Sequence, residues 1–512
     1  MDGPTHDVIQ EMEGVIRKFK NLDIPHSGLY AEGAGWKWED HYNKEEIYKI
    51  AAFTKQQKMR VFSWQFSHLD MEQAKELLPN CAEEDLPITR TPDYHGEKVL
   101  PCAIDFSHPR AEELLENQWH DRMDAGFDGT MVDFGEIIPD EAVFYDGRTG
   151  DEMHNAYALD YTKAYRKLFE KYKGEDHVLF SRSAAAGVQK YSCQFGGDQL
   201  SSFRGLTYAM NGGLTLAASG FPFWGVDAGG YSGFADEETY LRWTEFATFS
   251  PIMRFHGVTP REPWAYSRYA VSVYKFYAWL RENLLKYSVH TAEEAHKTGI
   301  PMMRPLPMVF PKDKEAVYWE DEYFYGSDLL VAPVHKEGEK RRIYFPAGRW
   351  INLLDFRKMV GGNRILQVDV PIDKIPVYIR EGACILSVMN GELQLGQSMT
   401  YEKKNTVLMS RALNETSGKR YADGKEIEYN ILGQTGEDFF MLRHAFETEF
   451  IVLLGFDRKP ESLELNGISL SEGASLNALN YGSGWYWRED TAVIVSVPKL
   501  EKTEIHVVYK EQ

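Results

Sequence analysis

Residues 108–134 have the sequence HPRAEELLENQWHDRMDAGFDGTMVDF, in which a helix pattern is followed at once by a strand pattern. Apolar residues recur at helical spacing over 108–125, and the short run FDGTMVDF (127–134) is typical of a buried strand. Strands that alternate with helices at this spacing indicate a parallel sheet. The stretch therefore predicts one β/α unit of an α/β fold.

The same alternation extends in both directions from this unit. Further helix patterns occupy 6–24, 44–57, 151–173 and 268–286. Further strand patterns are HSGLYAE (26–32), MRVFSW (59–64), HVLFS (177–181), SCQFG (192–196), FPFWGVD (221–227) and IMRFHG (252–257). Eight strands close a TIM barrel, whereas seven patterns occur here and the chain opens on a helix. We therefore expect a (β/α)8-type TIM barrel over 1–300 whose first strand is missing, with an insertion at about 67–101.

Past residue 300 the pattern changes to short strands separated by Gly, Pro and Asn-Gly turns. Examples are RRIYFPAGRWINLL (341–354) and SGKRYADGKEIEYN (417–430). Short strands with frequent turn residues are typical of β-sandwiches. We predict a proximal β-sandwich domain over 301–390 and a distal β domain over 391–512.

Composition limits the possible partners. The formal net charge of the 512 residues is −20, which disfavours nucleic acid. No apolar run reaches the 18 residues or more that a membrane span needs, and the N-terminus lacks the pattern of a signal peptide. The 4 cysteines have no CxxC spacing, so neither a disulfide framework nor a zinc site is expected. We expect a cytoplasmic protein without metal or cofactor, for which a homo-oligomer is an open alternative to a monomer.

Polar residues lie at or just after the ends of the predicted strands. They are Glu32, Asp133, Glu136, Arg182, Asp198, Asp227, Arg254 and His256. The carboxyl ends of barrel strands meet at one face, where the active sites of such barrels lie. A single aspartate could simply cap a helix, but carboxylates at several successive strand ends favour a shared site.

Paired carboxylates at one site are typical of glycoside hydrolysis. In the retaining reaction one attacks the sugar and the other protonates the leaving group, about 5–5.5 Å away. Arg182 could keep a nucleophilic carboxylate ionised. Asp198 follows Phe195 and a Gly-Gly turn, a plausible setting for an acid. The Asp133-Phe134-Gly135 triplet also occurs in protein kinases, but no His-Arg-Asp or GxGxxG loop accompanies it.

Four segments resemble glycoside hydrolase family 31 in its Asp-Phe-Gly-Glu branch. They are GTMVDFGEIIPDEAVFYDGRTGDEMHNAYALDY (129–161), SRSAAAGVQKYSCQFGGDQLSSFRGL (181–206), SGFPFWGVDAGGYSG (219–233) and FSPIMRFHG (249–257). They occur in the order of the family. The resemblance implies that Asp133 is the nucleophile and Asp198 the acid/base. Contacts with the sugar in the −1 subsite are implied for Glu32, Trp64, Arg182, Phe195, Asp227 and His256. Glu136 and Arg254 would not contact the sugar themselves. Glu136 would orient Arg182, and Arg254 would support the residues that make the contacts.

The sequence departs from the family at positions that bear on the sugar. Glu32 stands where an Asp is usual, Met131 where the α-xylosidases of this branch carry Lys, and Phe195 where Trp is common. A basic loop used by sulfoquinovosidases is missing between Glu32 and Trp36. We expect an α-glucoside-like substrate, a small molecule or an oligosaccharide. The alternatives are an α-xylosidase, an α-galactosidase, a sulfoquinovosidase or a truncated, non-catalytic sugar-binding remnant.

Overall fold

A computed structural model describes residues 8–32, 42–89, 102–357, 359–422, 424–443, 448–488, 491–498 and 500–509. The chain forms two compact units. The first contains the residues up to Leu22 together with His26–Phe195, and the second contains Asp23–Pro25 and everything from Gly196 onward. Within these described ranges, no helix has both the length and the apolar character that a membrane span requires.

The first unit consists mainly of parallel strands that alternate with helices. In chain order its elements are α1 (Val8–Asn21), β1 (Gly28–Ala31), α2 (Lys44–Gln56), β2 (Arg60–Phe66), β3 (His68–Leu69), α3 (Met71–Leu77), β4 (Cys102–Ala103), α4 (Ala111–Ala125), β5 (Gly129–Asp133), α5 (Gly150–Met153), α6 (Ala156–Lys173), β6 (Val178–Ser181) and β7 (Cys193–Phe195). Strands β1, β2, β5, β6 and β7 pair in this order, and every pair is parallel. The predicted alternation of parallel strands and helices is confirmed.

Local signals in the sequence explain where these elements begin and end. Asn43 caps α2 in a capping box with Glu46, so helix formation starts at Lys44. Gly126 ends α4 with a φ of 93°, a left-handed conformation that glycine adopts without strain. Gly129 then opens β5, where an added Cβ would lie 1.9 Å from the Val178 carbonyl oxygen. A larger residue at position 129 would therefore force β5 and β6 apart.

The described residues between β2 and α4, where an insertion at about 67–101 is predicted, form a small subdomain. Strands β3 and β4 pair antiparallel, and Asp70 caps α3 between them. Residues 90–101 lie outside the described part of the chain. The subdomain shares a hydrophobic core with α4 and α6, in which Leu69, Trp119 and Tyr161 are fully buried. This shared core fixes the insertion to the β/α layer.

The second unit begins with the later β/α elements. They are α7 (Phe203–Ala218), β8 (Trp224–Asp227), α8 (Glu237–Thr248), β9 (Ile252–Arg254), α9 (Arg268–Asn283) and α10 (Leu285–Thr298). Strands β8 and β9 are parallel, with Asp227 opposite Arg254. Within the described residues the two units hold five and two such parallel strands, which are the seven that the sequence predicts. The helix predicted at 268–286 ends at Asn283, and α10 follows directly.

Mainly antiparallel sheets make up the rest of the second unit, and one strand pair in them is parallel. The elements are β10 (Met303–Pro305), α11 (Leu306–Val309), β11 (Tyr323–Tyr325), β12 (Leu329–Val331), β13 (Lys340–Phe345), β14 (Arg349–Asn352), β15 (Met359–Gly361), β16 (Arg364–Asp369), β17 (Val377–Arg380), β18 (Cys384–Met389), β19 (Lys404–Ser410), β20 (Thr416–Ala422), β21 (Lys425–Gly433), β22 (Glu437–Arg443), β23 (Phe450–Leu454), β24 (Ser462–Leu465), β25 (Ile468–Ser469), β26 (Gly484–Arg488), β27 (Ala492–Ser496) and β28 (Lys502–Val508). Two of these sheets, β18-β19-β23-β27-β26 and β20-β21-β22-β28-β24-β25, enclose one apolar core. This sheet-on-sheet arrangement confirms the predicted β-sandwich character.

Candidate active site

Asp133 ends β5, and its carboxylate is held from several sides. Trp64 Nε1 donates a hydrogen bond of 2.8 Å to Oδ2, and the Phe134 amide donates one of 2.8 Å to Oδ1. Arg182 Nη1 lies 3.2 Å from Oδ1. Asp133 is only 8% exposed. A buried carboxylate with a cation and N–H donors around it is stabilised in its charged form and in one orientation.

Arg182 connects this carboxylate to a second one. Its Nη2 donates to Glu136 Oε1 at 2.5 Å, while Nη1 faces Asp133. The guanidinium also stacks over the Phe134 ring, with its carbon 3.9 Å from the ring centroid. A planar fork that is held at two edges and one face keeps little freedom. Arg182 therefore presents a fixed positive charge to Asp133.

The chain turns sharply after Asp133. Phe134 has a φ of 59° and Gly135 a φ of 92°, so a residue other than glycine adopts a left-handed conformation. Such a conformation costs on the order of 1–3 kcal/mol and persists where the surroundings enforce it. Tyr161 helps to enforce it, because its hydroxyl donates to the carbonyl oxygens of Gln65 and Asp133, each at 3.2 Å. The turn is what allows the Phe134 amide to reach the carboxylate that precedes it.

An apolar wall lies beside the carboxylate. Trp64, Met131 and Phe195 form one buried cluster, each less than 10% exposed. Trp64 and Met131 are direct partners in the β2–β5 pairing. The Tyr30 hydroxyl donates to Met131 Sδ at 3.4 Å, which adds a contact from β1. Aromatic and thioether groups of this kind suit the apolar face of a sugar ring.

The second unit holds its own group of charged residues. Asp227 ends β8 and is 1% exposed, and Arg254 ends β9 and forms a short ion pair with Asp227 Oδ1. The backbone adds to this connection, since the Ala228 amide donates to the Arg254 carbonyl at 2.9 Å. Asp227 and Arg254 therefore form one rigid pair at the carboxyl ends of neighbouring strands.

The predicted strand IMRFHG (252–257) includes His256, but β9 ends at Arg254. His256 therefore lies beyond the end of the strand. Its ring packs against Tyr231, with the centroids 5.3 Å apart. Burial, together with the positive charges of Arg254 and Arg261, lowers the pKa of His256 to about 3. The imidazole is therefore neutral at all ordinary pH values, so it can donate one hydrogen bond and accept another.

Asp198, Glu32 and Glu136 are the exposed members of the predicted set. Asp198 lies on the loop after β7, and Glu32 directly follows β1. Two hydrogen bonds fix the loop of Asp198, from the amides of Tyr231 and Ser232 to the Gln199 carbonyl at 2.8 and 3.0 Å. The basic loop expected to be missing between Glu32 and Trp36 lies outside the described residues.

The structure thus brings the predicted residues into two local groups. Trp64, Asp133, Glu136, Arg182 and Phe195 lie together in the first unit, and Asp227, Arg254 and His256 in the second. The turn at Phe134 and the support from Tyr161 were not predicted. No group of three or more potential metal ligands occurs among the residues that the structure describes. The polar groups that these two clusters offer for catalysis or binding are carboxylates, guanidinium groups and a neutral imidazole.

Comparisons with known proteins agree with this arrangement. A family model described as "Glycosyl hydrolases family 31 TIM-barrel domain" matches residues 5–291, and one described as "Glycosyl hydrolase family 31 C-terminal domain" matches residues 299–385. The isomaltosyltransferase of Sporosarcina globispora is 32% identical over 71% of this chain and 35% of its own length. The 1,3-alpha-isomaltosidase of Kribbella flavida is 33% identical over 59% of this chain and 41% of its own length. The chain thus spans well under half of these relatives.

Solved structures support the fold. The cycloalternan-forming enzyme of Listeria monocytogenes matches 98% of this chain and 53% of its own, with a TM-score of 0.85 and 23% identity. A dextranase of Flavobacterium johnsoniae matches 98% of this chain and 69% of its own, with a TM-score of 0.83 and 22% identity. The predicted TIM barrel followed by β domains is therefore confirmed. With a TIM-barrel family model that covers more than half of its residues, the chain belongs to glycoside hydrolase family 31.

Proposed function

We propose that this protein is a retaining α-glycosidase in which Asp133 is the nucleophile and Asp198 the acid/base. The observation that carries the proposal is the environment of Asp133. Its carboxylate is buried, faces the Arg182 guanidinium and accepts hydrogen bonds from Trp64 and Phe134. A nucleophilic carboxylate needs this combination of charge, orientation and exclusion of water.

The proposed reaction has two displacements. In the first, an Asp133 oxygen bonds to the anomeric carbon while the bond to the leaving oxygen breaks and Asp198 gives that oxygen its proton. In the second, Asp198 takes a proton from water, the water oxygen attacks the anomeric carbon, and Asp133 leaves as a carboxylate. Two inversions give net retention. The exposure of Asp198 suits this role, because both the leaving group and the incoming water must reach it.

Recognition of the sugar is assigned to groups of fixed geometry. Asp227 and Arg254 offer an acceptor and donors in one ion pair, and neutral His256 offers both. Trp64 and Phe195 would cover the apolar face of the ring. Buried polar groups that are left unpaired by a wrong sugar weaken binding strongly, so such a set discriminates between hydroxyl patterns.

We propose an α-glucoside-like substrate, a small molecule or an oligosaccharide. Named relatives support it, since they include the isomaltosyltransferase, the 1,3-alpha-isomaltosidase and an alpha-glucosidase of Bacillus thermoamyloliquefaciens. The apolar Met131, packed under Trp64 and Phe195, offers no charge to a substrate.

A panel of nitrophenyl α-glycosides tests the proposed function. We expect the α-glucoside to be cleaved with a kcat/KM at least about tenfold above the α-galactoside, α-xyloside and 2-acetamido compounds, because one misplaced or missing hydroxyl costs about 1–3 kcal/mol. The rate of nitrophenol release measures this, and nuclear magnetic resonance of the first sugar product identifies its anomer. A first product in the β form would contradict retention, and no cleavage of any member would favour a sugar-binding remnant.

The pH profile gives a second test, because His256 should not titrate in the working range. Its lowered pKa keeps it neutral above about pH 3. Replacing His256→Ala should therefore lower kcat/KM by about 10-fold to 100-fold, the loss expected for a buried hydrogen bond. Both limbs of the profile of log kcat/KM against pH should stay where they are in the unmodified enzyme. A limb that disappears in the variant would show that the imidazole itself titrates during catalysis.

A further inference from the structure

Arg261 is a buried arginine in the segment after β9 and is 5% exposed. Its own carbonyl accepts a hydrogen bond of 2.9 Å from the Tyr240 hydroxyl, which anchors it to α8. All of its contacts named below lie within the second unit. Nothing in the sequence pattern distinguishes this residue, since no strand ends on it and no motif that we identified contains it.

The guanidinium of Arg261 bonds three separate segments at once. Nε and Nη2 donate to the Gly230 carbonyl at 2.9 and 2.7 Å, and Nη2 also donates to the Gly233 carbonyl at 3.0 Å. Nη2 reaches Ser201 Oγ at 2.8 Å. Nη1 donates to the Thr259 carbonyl at 3.1 Å. One rigid, planar group therefore sets the distance between three loops.

In each of the three segments, the contacted residue lies at the same spacing from a proposed site residue. Ser201 lies three residues after Asp198, Gly230 three residues after Asp227, and Thr259 three residues after His256. Each loop that carries a proposed site residue is thus held at the same distance along the chain from that residue. Arg261 touches none of the three side chains that would act on the sugar.

Backbone hydrogen bonds join the same loops beside the guanidinium. The Ser201 amide donates to the Ser232 carbonyl at 2.9 Å, and the Val258 amide donates to the Tyr231 carbonyl at 3.0 Å. The loops are also closely packed. An added Cβ would lie 2.5 Å from Ser201 Cα at Gly230, where φ is 79°, and 2.9 Å from Arg261 Nη2 at Gly257. A side chain at position 230 or 257 would therefore clash with this network.

We propose that Arg261 is a positioning residue that holds the loops of Asp198, Asp227 and His256 in one fixed arrangement. The inference rests on the proposed function, because the three loops matter only if those residues act on a sugar. Its main effect falls on the proton donor, since Asp198 is the exposed side chain of the three and its placement depends on the loop that carries it. A displacement of about 1 Å in a catalytic group can reduce a rate by about 100-fold.

The test compares Arg261→Met with Arg281→Met. Arg281 is a matched control, because its guanidinium also binds carbonyl oxygens around one strand end. These belong to Thr248, Ser250 and Pro251, before β9, at 3.0, 2.8 and 2.8 Å. Arg261→Lys is the conservative variant, which keeps the charge but loses the fork. If Arg261→Met does not fold, Arg261→Lys takes its place in both measurements.

The first measurement is hydrogen–deuterium exchange, which needs no activity. In Arg261→Met, peptides that contain the amides of Ser201, Tyr231, Ser232 and Val258 should exchange at least about tenfold faster than in the unmodified protein. In Arg281→Met these peptides should not change. Unchanged exchange in Arg261→Met would overturn the proposal, whatever the enzyme proves to hydrolyse.

The second measurement is leaving-group dependence. We expect Arg261→Met to lower kcat on an α-linked disaccharide at least about tenfold more than on a nitrophenyl glycoside, because only the disaccharide depends strongly on the proton donor. In Arg261→Lys the disaccharide should again lose more rate than the nitrophenyl glycoside, but by a smaller margin than in Arg261→Met. Arg281→Met should lower both rates by the same factor. Equal losses in Arg261→Met would reduce Arg261 to a structural role. If the unmodified protein cleaves no α-glycoside, the proposed function fails, while the exchange result still decides whether Arg261 holds the loops.

Discussion

Replacing Asp133→Ala should lower the turnover of every α-glycoside by at least about 10⁴-fold, because the variant has no nucleophile. The loss should not depend on the leaving group, since even an activated phenol needs attack at the anomeric carbon. Added azide should restore part of the rate from the vacated side and give the inverted β-glycosyl azide. Nitrophenol release and the anomeric configuration of the azide product measure these two effects.

Asp128→Ala is the matched control for this change. Asp128 directly precedes β5 at its other end, where it binds Arg60 and Lys173. Its side chain is 13% exposed and also accepts a hydrogen bond of 3.0 Å from the Val61 amide, so its loss should lower stability by about 1–3 kcal/mol and leave turnover within about twofold of the unmodified protein. A similar loss of activity in both variants would mean that Asp133 supports the fold and does not attack the sugar.

Replacing Asp198→Ala should have an effect that depends on the leaving group. General acid catalysis contributes about 10²–10⁴-fold, so cleavage of an α-linked disaccharide should fall by that factor. Formation of the glycosyl-enzyme from an aryl glycoside with an acidic phenol should nearly persist. The second step still lacks its base, so glycosyl-enzyme should accumulate, visible by mass spectrometry of the intact protein.

Azide distinguishes the two carboxylates most directly. It needs no deprotonation, so it should release the trapped sugar in Asp198→Ala as a glycosyl azide of retained α configuration. Asp236→Ala is a control on a nearby loop, since Asp236 caps α8 through the Thr239 amide and should affect stability alone. If the inverted azide came from Asp198→Ala and the retained one from Asp133→Ala, the two roles would be exchanged.

Most strands of the barrel could be predicted because each is a short apolar run with a polar or charged residue at its end. FDGTMVDF predicts a strand at 127–134, and β5 covers Gly129–Asp133, with the charged Asp133 at its end. β2 shows why the rule is incomplete. It was expected to end at Trp64 but continues to Phe66, because Gln65 is buried and accepts a hydrogen bond of 3.1 Å from Trp119. A polar side chain with a partner inside the core looks, in sequence, like the end of a strand.

Other features depend on contacts that no local pattern contains. Helix α7 was not predicted, and it contains Gly205, Gly212 and Gly213, which have low helix propensity. Gly213 is required there because an added Cβ would lie 1.8 Å from the Trp224 ring. In the same way, nothing around Arg261 indicates that three loops will surround it. Long-range packing decides both positions, so single-sequence periodicity could not have identified them.

The left-handed conformation of Phe134 has a consequence for how this protein would respond to selection. Glycine or asparagine adopts such a conformation with less strain, so either replacement would relieve part of the local cost. Both would also remove the aromatic face that lies against Arg182. The same replacements would also lose the contact between this ring and Phe66, whose centroids are 4.6 Å apart. Selection for heat resistance at position 134 therefore balances backbone strain against ring packing, whereas selection for turnover is expected to keep Phe.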